Sequence, residues 1–468
     1  MYLFPYESVS RGERVVIYGA GMVGQDFLHQ LMWTNYCIPV AFVDKAANRY
    51  QCLPIQIVTP NFISKLKFDK LIIALDHRDI AEQVAENLVR DIPDINGKLI
   101  LGCNRKYESI AEQVLSSELP EADYAYLQSD VSIAVYMKRG LGDCIFAKRF
   151  LEALFSLTST SIQCDLFVSP ETEVAVKLIL DEMNGIRNVF VGRNFYNMVC
   201  KHYDLSFELG LFLEITDFKY KELEKKDVKF LRIVSSLNKK IKEHNLSLQK
   251  PSDYYVHIKR CEKKGQTCYT GYSYDGLIPI NDWHTTIPLR QEYSEMYQNL
   301  KLPAKYITLN YSWNKESTFL PKYWPLKYFN KLAILLKKSY PNYKLIQIGM
   351  EGADKISGLD IYLLGNSMEL VKYILKGAGL HIDYEGGPVH LATQLGTKCV
   401  VLFGSGPYDF VKYQENINIR AQSCHDCMYM DENYTQCFRG LKHPECMYKL
   451  TPEFVIQKIK AEWDVSEV

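Results

Sequence analysis

The sequence predicts an α/β protein built from successive doubly wound units, and three observations carry that prediction. A β-rich run, Arg14 to Tyr18, leads into Gly19, Gly21 and Gly24 and then an apolar-periodic stretch through Phe27, Leu28, Leu31 and Met32. The same format, strand then glycine-bearing turn then helix, returns between Ser132 and Leu154. From Ala304 to Phe403 strands and helices alternate without a break. Alternation of this kind implies parallel sheets, because two parallel strands need a crossover between them.

In chain order, the first unit continues with a strand over Pro39 to Val43 that ends at Asp44, a strand over Lys70 to Leu75, a helix over Asp79 to Val89 and a strand over Leu99 to Leu101. An acidic, helix-prone stretch from Glu108 to Asp123 then leads to a boundary near Ser129. The second unit opens on Ser132 to Met137, carries a helix with Phe146, Phe150, Leu151 and Leu154, and adds strands at Ile162 to Val168 and Asn188 to Val191. From Lys221 to about Lys264 the chain is rich in Lys and Glu and reads as solvated helices or an insertion. The third unit holds strands at Ala304 to Leu309, Tyr343 to Ile348, Gly379 to Ile382 and Cys399 to Phe403, with helices at Lys327 to Lys338, Met368 to Lys376 and Val389 to Leu395. At roughly 150 residues per domain, a chain of this length suggests about three domains. We place them at 1–128, 129–302 and 303–468, with a cleft between the last two.

Composition narrows the function. Fifty-five Lys and Arg balance 55 Asp and Glu, so no global field draws a polyanion and obligate nucleic-acid binding is disfavoured. The 33 tyrosines suit stacking on sugars or bases, although the codon bias of an AT-rich genome is the plainer source. Met1 to Ser10 lacks the basic and apolar regions of a secretory signal, and no uninterrupted apolar run is long enough to span a bilayer. A soluble cytoplasmic protein is expected, with at most peripheral contact at the inner membrane. Thirteen cysteines spread over so large a chain argue against a secreted disulfide framework.

Four groups of residues point to chemistry. Gly19, Gly21 and Gly24 match G-x-G-x-x-G between strand and helix, with Asp44 twenty residues further on. Glycine there lets backbone approach a pyrophosphate, and Asp44 would accept from a ribose hydroxyl. Arg139-Gly-Leu-Gly-Asp143 stands where a strand meets its helix, so Asp143 is either a base for an acceptor hydroxyl or a helix cap. Lys322-Tyr-Trp-Pro325 precedes a helix, and Lys322 would neutralise a diphosphate or else be a solvated lysine. Asp383-Tyr-Glu385-Gly386-Gly387-Pro-Val-His390 follows a strand end, where phosphates and sugars bind in such sheets, while His390 reads equally as a core histidine.

Taken in order, Gly140-Leu-Gly-Asp143, Lys322-x-Trp324-Pro325, Glu385-Gly-Gly-Pro-Val-His390-Leu-Ala392 and Val401-Leu-Phe403-Gly404 resemble glycosyltransferase family nine, the heptosyltransferase family. The resemblance runs from about residue 130 to 464, some 70% of the chain. It implies the GT-B fold, a pair of Rossmann-like domains with the active site between them, and transfer of a heptose or related sugar from a nucleoside-diphosphate donor to a glycan, lipid-linked or protein acceptor, as in lipopolysaccharide or capsule assembly. It implies Asp143 as catalytic base, Lys322 as the diphosphate contact, and Glu385, Gly386, Gly387 and His390 as the donor loop, with Asp383 a nearby second carboxylate. The chain departs at Glu385, where many members carry Asp. The first domain resembles a small Rossmann-like module fused to bacterial sugar-modifying enzymes, whose members need not bind NAD.

Cys424, Cys427, Cys437 and Cys446 follow C-x2-C-x9-C-x8-C within the segment 424–446. Such thiols suit a structural zinc or iron, or remain reduced and buried. The segment is similar to the cysteine-bearing tail of the autotransporter-heptosyltransferase branch, where the cluster holds iron and the tail could also serve homo-oligomer assembly. Two rival readings differ in class. One is an NAD-dependent sugar-nucleotide oxidoreductase or epimerase acting through the first domain, which lacks a Tyr-x-x-x-Lys pair. The other is a non-catalytic scaffold with a degenerate transferase fold.

Overall fold

The computed structural model describes residues 2–50, 53–102, 130–138, 140–210, 212–244, 250–311, 322–422 and 424–463. The acidic stretch 108–123, the boundary near Ser129, and Arg139 lie outside the described residues.

Three separate sheets make up the fold. The first contains β1 (Arg14–Tyr18), β2 (Ile38–Val43), β3 (Ile57–Val58), β4 (Lys70–Ile73) and β5 (Leu99–Leu101), all parallel, in the order β3-β2-β1-β4-β5. The second contains β6 (Val131–Met137), β7 (Ile162–Val168), β8 (Ile186–Val191), β9 (Leu205–Leu209) and β10 (Leu213–Phe218), in the order β10-β9-β6-β7-β8, with only β10 antiparallel to its neighbour. The third is fully parallel and contains β11 (Tyr306–Asn310), β12 (Lys344–Gly349), β13 (Ile361–Leu364), β14 (Leu380–Tyr384), β15 (Cys399–Phe403) and β16 (Ile417–Arg420), in the order β13-β12-β11-β14-β15-β16. Buried on both faces, β6, β11, β14 and β15 read as continuous runs because no residue along them faces water.

The order of the strands decides where a ligand can sit. In each sheet the chain leaves a central strand in one direction and later returns to its other side, so the crossovers diverge and leave a crevice at the carboxyl ends. That switch falls between β1 and β4, between β6 and β9, and between β11 and β14.

The three units pack as one body. One apolar core runs from β6, β7 and the helix Leu141–Phe155 through Val389, Leu391, Phe403 and Phe410 of the third unit. The first unit docks on the second through Leu3 and Trp33, which join Phe167, Phe190, Phe195 and Tyr196. Trp33 Nε1 donates to Tyr203 Oη at 3.0 Å, and that hydroxyl donates to the buried Asp165 at 2.6 Å.

The stretch expected as solvated helices is corrected. Its helices, Tyr220–Lys226, Val228–His244 and Pro251–Lys263, bury Leu223, Phe230, Leu231, Val234, Leu237, Ile241 and Ile258 against the second unit. The Lys and Glu are the outer face of an apolar stripe with helical spacing.

Candidate active site

Two of the three switch points open onto one cavity of about 250 Å³. From the second unit it receives Gly140 to Asp143, which follow β6, and Gly210 and Phe212, which follow β9. From the third it receives Lys322, past β11, and Glu385 to Gly387, which follow β14. Residues 110 positions apart (Phe212 and Lys322) to 247 apart (Gly140 and Gly387) therefore line one cavity because both sheets point their carboxyl ends into the same gap.

Two helices begin at the cavity. Leu141–Phe155 is capped by Gly140 and Gly387–Gln394 by Gly386, and neither cap offers a side chain to the first-turn amides. At the second helix Pro388 has no N–H and the Val389 amide donates to Gly386 O at 3.1 Å, so what it offers an anion is the Gly387 amide and the positive end of its dipole, beside the dipole end of the first helix. The helices meet closely: a Cβ on Gly142 would lie 2.5 Å from the His390 ring, and one on Gly387 would lie 3.1 Å from Leu141 Cβ. Glycine at 142 is thus required by packing between the two units.

Glu385 is the charge centre. Its carboxylate is ion-paired with Lys322 through Oε2, and Oε1 stands 3.7 Å from His390 Nε2. Burial alone would raise this carboxyl, yet the Lys322 ammonium and His390 outweigh it and hold the group well below the usual carboxylate range. His390 is fixed from behind: Nδ1 bonds Tyr413 Oη at 2.8 Å, Tyr413 bonds Tyr269 Oη at 2.6 Å, and the Phe146 ring stands edge-on at 5.1 Å. The histidine is therefore a packed residue with one nitrogen facing the site, so both halves of the sequence reading apply. Trp324, fully buried, donates to Leu450 O at 2.7 Å and anchors the loop that carries Lys322. Asp143 lies in the first turn of its helix, partly exposed, with no ion-pair or hydrogen-bond partner among the described residues.

Asp383 requires correction. It is fully buried, not among the cavity's lining residues, and occupied: Asn310 Nδ2 donates to it at 2.8 Å, the Tyr384 amide at 2.8 Å, and His381 Nε2 stands 3.6 Å away. Burial raises its pKa. It braces β11 against β14 rather than contacting a donor.

The first unit's glycine turn has the expected form and a different occupancy. Gly19 adopts φ +105°, and a Cβ on Gly24 would meet Gly19 O at 2.0 Å, so both glycines are demanded by the strand-to-helix approach. Asp44, however, accepts from the Ala20 amide at 3.0 Å and the Ala46 amide at 2.8 Å. The carboxylate expected to take ribose hydroxyls is engaged in holding the turn itself, while Gly21 caps the helix in open space.

Cys424, Cys427, Cys437 and Cys446 line one cavity of about 290 Å³ with His425, Phe438 and Arg439. Their soft thiol chemistry suits zinc or iron. No group of three or more His, Cys, Asp or Glu among the described residues stands in position to hold a metal ion, so the cysteines are gathered without forming a ligand set.

Sequence reasoning missed one whole side of the main cavity. Tyr254, His257, Cys268, Tyr272 and Tyr274 line it from the stretch taken as solvated insertion and the segment after it, and Phe410, Met428 and Tyr429 line it from the far end of the third unit. The available signal was the density of aromatics at helical spacing around Tyr254 and His257, hidden among charges.

Fold and site together define an α/β protein with an anion-ready cleft between two Rossmann-like sheets. A family model described as "C2185-like, N-terminal" matches residues 11–92. No curated protein matches the chain by sequence. Among solved structures, it is similar to a family 9 glycosyl transferase from Veillonella parvula (14% identity, TM-score 0.48, covering 71% of this chain and 97% of that one). It is similar to the iron-containing dodecameric glycosyltransferase TibC from enterotoxigenic E. coli (13% identity, TM-score 0.47, covering 72% and 76%). It is also similar to the E. coli heptosyltransferase WaaC, solved with ADP-2-deoxy-2-fluoro heptose (14% identity, TM-score 0.39, covering 71% and 100%). No helix among the described residues is long and apolar enough to cross a membrane.

Proposed function

We propose that the protein is a glycosyltransferase that moves a sugar from a nucleoside-diphosphate donor to an acceptor hydroxyl held in the cleft between the second and third units. The observation that carries this reading is the convergence of Asp143, Lys322, Glu385, Gly386, Gly387 and His390 on one cavity from two switch points. In a direct displacement, Asp143 takes the proton of the acceptor hydroxyl as its oxygen bonds the anomeric carbon. The bond from that carbon to the diphosphate breaks, and the charge passes to the departing nucleoside diphosphate. Lys322, the Gly387 amide and the positive end of the helix Gly387–Gln394 meet that charge. The Lys322–Glu385 pair adds a coupling: sugar hydroxyls that take over Glu385 release the Lys322 ammonium toward the diphosphate. Inversion at the anomeric carbon follows from single displacement.

The donor proposed is a heptose or related sugar linked to a nucleoside diphosphate; WaaC, to which the chain is similar, was solved with an ADP-linked heptose. The acceptor class proposed is a cell-surface glycan, lipid-linked sugar or protein hydroxyl. In the first unit Asp44 accepts one amide on each oxygen, from Ala20 and Ala46, and keeps acceptor capacity for a ribose hydroxyl. At the tail, the four thiols line one cavity without standing in position as a ligand set, so a structural zinc or iron there requires them to close together, and it has no part in the transfer step.

The test is a thermal-shift panel of ADP-, GDP-, UDP- and dTDP-linked sugars with NAD, followed by turnover on the donor that responds. A ligand at about 100 Kd stabilises by about 2.7 kcal/mol. We expect selective stabilisation by one nucleotide sugar, lost in Lys322→Ala. Asp143→Asn should keep that stabilisation and lose at least about 100-fold in turnover. A response to NAD alone, or near-normal turnover in Asp143→Asn, overturns the reading.

A further inference from the structure

The cavity has two chemically distinct sides. One holds its charge: Asp143, and Glu385 with its partners Lys322 and His390. The other is a continuous wall of rings contributed by four separate segments. Phe212 comes from the β9–β10 connection, Tyr254 and His257 from the helix Pro251–Lys263, Phe410 from the helix Tyr408–Val411, and Tyr429 from the cysteine segment. The rings touch in sequence. Phe212 stands edge-on to Tyr254 and to His257 with centroids 5.2 Å apart in each case, Tyr254 and His257 lie parallel at 6.2 Å, and Tyr254 meets Tyr429 edge-on at 4.8 Å. Tyr254 also reaches Phe410 at 6.5 Å.

Two further features set this wall apart from ordinary core. Phe212, Tyr254, His257 and Tyr429 are only partly buried, so ring surface remains presented to the cavity. Two lining tyrosines, Tyr274 and Tyr429, hold left-handed backbone, with φ of +46° and +68°. That conformation is disfavoured for an L-residue, and such strain persists where the surroundings over-determine it, most often at ligand sites.

Placement says which substrate the wall would meet. Phe212 follows β9, the strand paired with β6, and the helix that follows β6 carries Asp143 in its first turn. The Phe212 end of the wall therefore lies beside β6, where an acceptor must present its hydroxyl, while the Phe410 end belongs to the third unit, four residues after Gly406, whose Cβ would come within 3.4 Å of Glu385 Oε2. Four of its five members, Phe212, Tyr254, Phe410 and Tyr429, are phenyl or phenol rings. An extended aromatic surface of this kind complements a pyranose face of axial C–H bonds, whose hydroxyls project round the rim, better than it complements a phosphorylated or carboxylated sugar.

We infer that the ring wall Phe212, Tyr254, His257, Phe410 and Tyr429 is the acceptor subsite and that it takes a neutral sugar ring packed by its C–H face. This rests on the transferase reading for the identity of the cavity and goes beyond it in naming the acceptor's chemistry.

Saturation-transfer NMR on the full chain tests it, with ADP and the methyl β-glycosides of glucose, galactose and N-acetylglucosamine as probes, against methyl β-glucuronide and glucose 6-phosphate. We expect transfer to the axial protons of at least one neutral glycoside and weaker transfer to both anionic sugars. Tyr254→Leu and Tyr429→Leu keep apolar volume without a ring and should weaken that glycoside at least about threefold, whereas Tyr254→Phe should retain it. ADP binding should be unchanged in all three variants and fall in Lys322→Ala. The inference is overturned by stronger transfer to the anionic sugars, by no transfer to any neutral glycoside, or by leucine variants that bind glycoside normally. It is equally overturned by leucine variants that lose ADP instead, since the wall would then stack the donor base. Glycoside binding intact with no response of the wild type to ADP, GDP, UDP or dTDP would strike the transferase reading and with it the acceptor assignment, leaving the wall as a site for a neutral sugar alone.

Discussion

His29 shows how much a single side chain depends on what the fold puts around it. It lies on the first unit's helix Met22–Thr34, between Phe190 and Phe195 of the second unit, with ring centroids at 5.8 and 5.9 Å. Burial, aided by the charge of Lys177, lowers its pKa to about 4 from 6.5. The unfolded chain thus takes up a proton as pH falls below 6.5 while the native state does not, so stability is lost between pH 6.5 and 4, by up to about 3 kcal/mol. Asp26 on the same helix has the opposite sign: burial pushes its pKa up to about 6, and the stability it contributes is lost as pH rises through that value. His29→Phe separates the two. Urea unfolding at pH 7 and pH 4.5 should show a smaller acid loss in the variant by about 2 kcal/mol; parallel profiles would remove His29 as the cause. In the sequence His29 was one more residue on an apolar helix. The site residues were more legible, since Asp143, Lys322 and Glu385 stand at strand ends that local patterning marks out. The Lys322–Glu385 pair was not, because the two are 63 positions apart and only the sheet brings them together.

At the scale of the element, spacing in the chain and space in the fold make different demands on similar residues. Gly21 and Gly24 belong to one motif, yet a Cβ at Gly21 meets open space and one at Gly24 meets the backbone oxygen of Gly19. Gly24→Ala should destabilise by about 2 kcal/mol or more because backbone cannot step aside, and Gly21→Ala by no more than about 1 kcal/mol as a cap exchange. Thermal unfolding of the two variants measures this, and equal effects would show that the turn relaxes. The cysteine segment makes a second prediction. If the four thiols close on a metal, elemental analysis finds about one zinc or iron per chain, lost in the double variant Cys427→Ser and Cys437→Ser; a metal-free protein with four titratable thiols there refutes the staple. Strand and helix positions in all three units followed from periodicity, as at Ile162–Val168, Met368–Lys376 and Cys399–Phe403. The helices between the second and third sheets were legible as helices and misjudged as solvated, because their charge outnumbers the stripe that Phe230, Val234, Leu237 and Ile241 bury.

Across the whole molecule the second and third units are locked by buried polar contacts that no local pattern announces. Lys372, with its side chain fully buried, donates to Leu178 O at 2.9 Å in the second unit and to Pro288 O at 2.8 Å, and pairs with Glu369 at 2.9 Å. Lys372→Met strips the charge that satisfies these groups and should cost about 3 kcal/mol, read as a lower denaturation midpoint; an unchanged midpoint would mean the latch is dispensable. Residues 11–92 carry a recognisable module, and its docking through Trp33 and Tyr203 adds a third body to the pair that holds the cleft. The sequence by itself determined the three α/β units, the strand ends after which the candidate site residues stand and the neutral charge balance. Each of these is written in residues close together in the chain, where period, turn chemistry and composition act. Only the tertiary structure decided that two of the three switch points share a cavity, that Glu385 pairs with Lys322 while Asp383 is sealed away, that Asp44 accepts from the amides of its own turn, and that a set of rings lines the same cavity as Asp143. Those outcomes depend on which sheet edges face one another and which polar groups remain unpaired once the cores close, and such long-range packing leaves no periodic trace in the sequence.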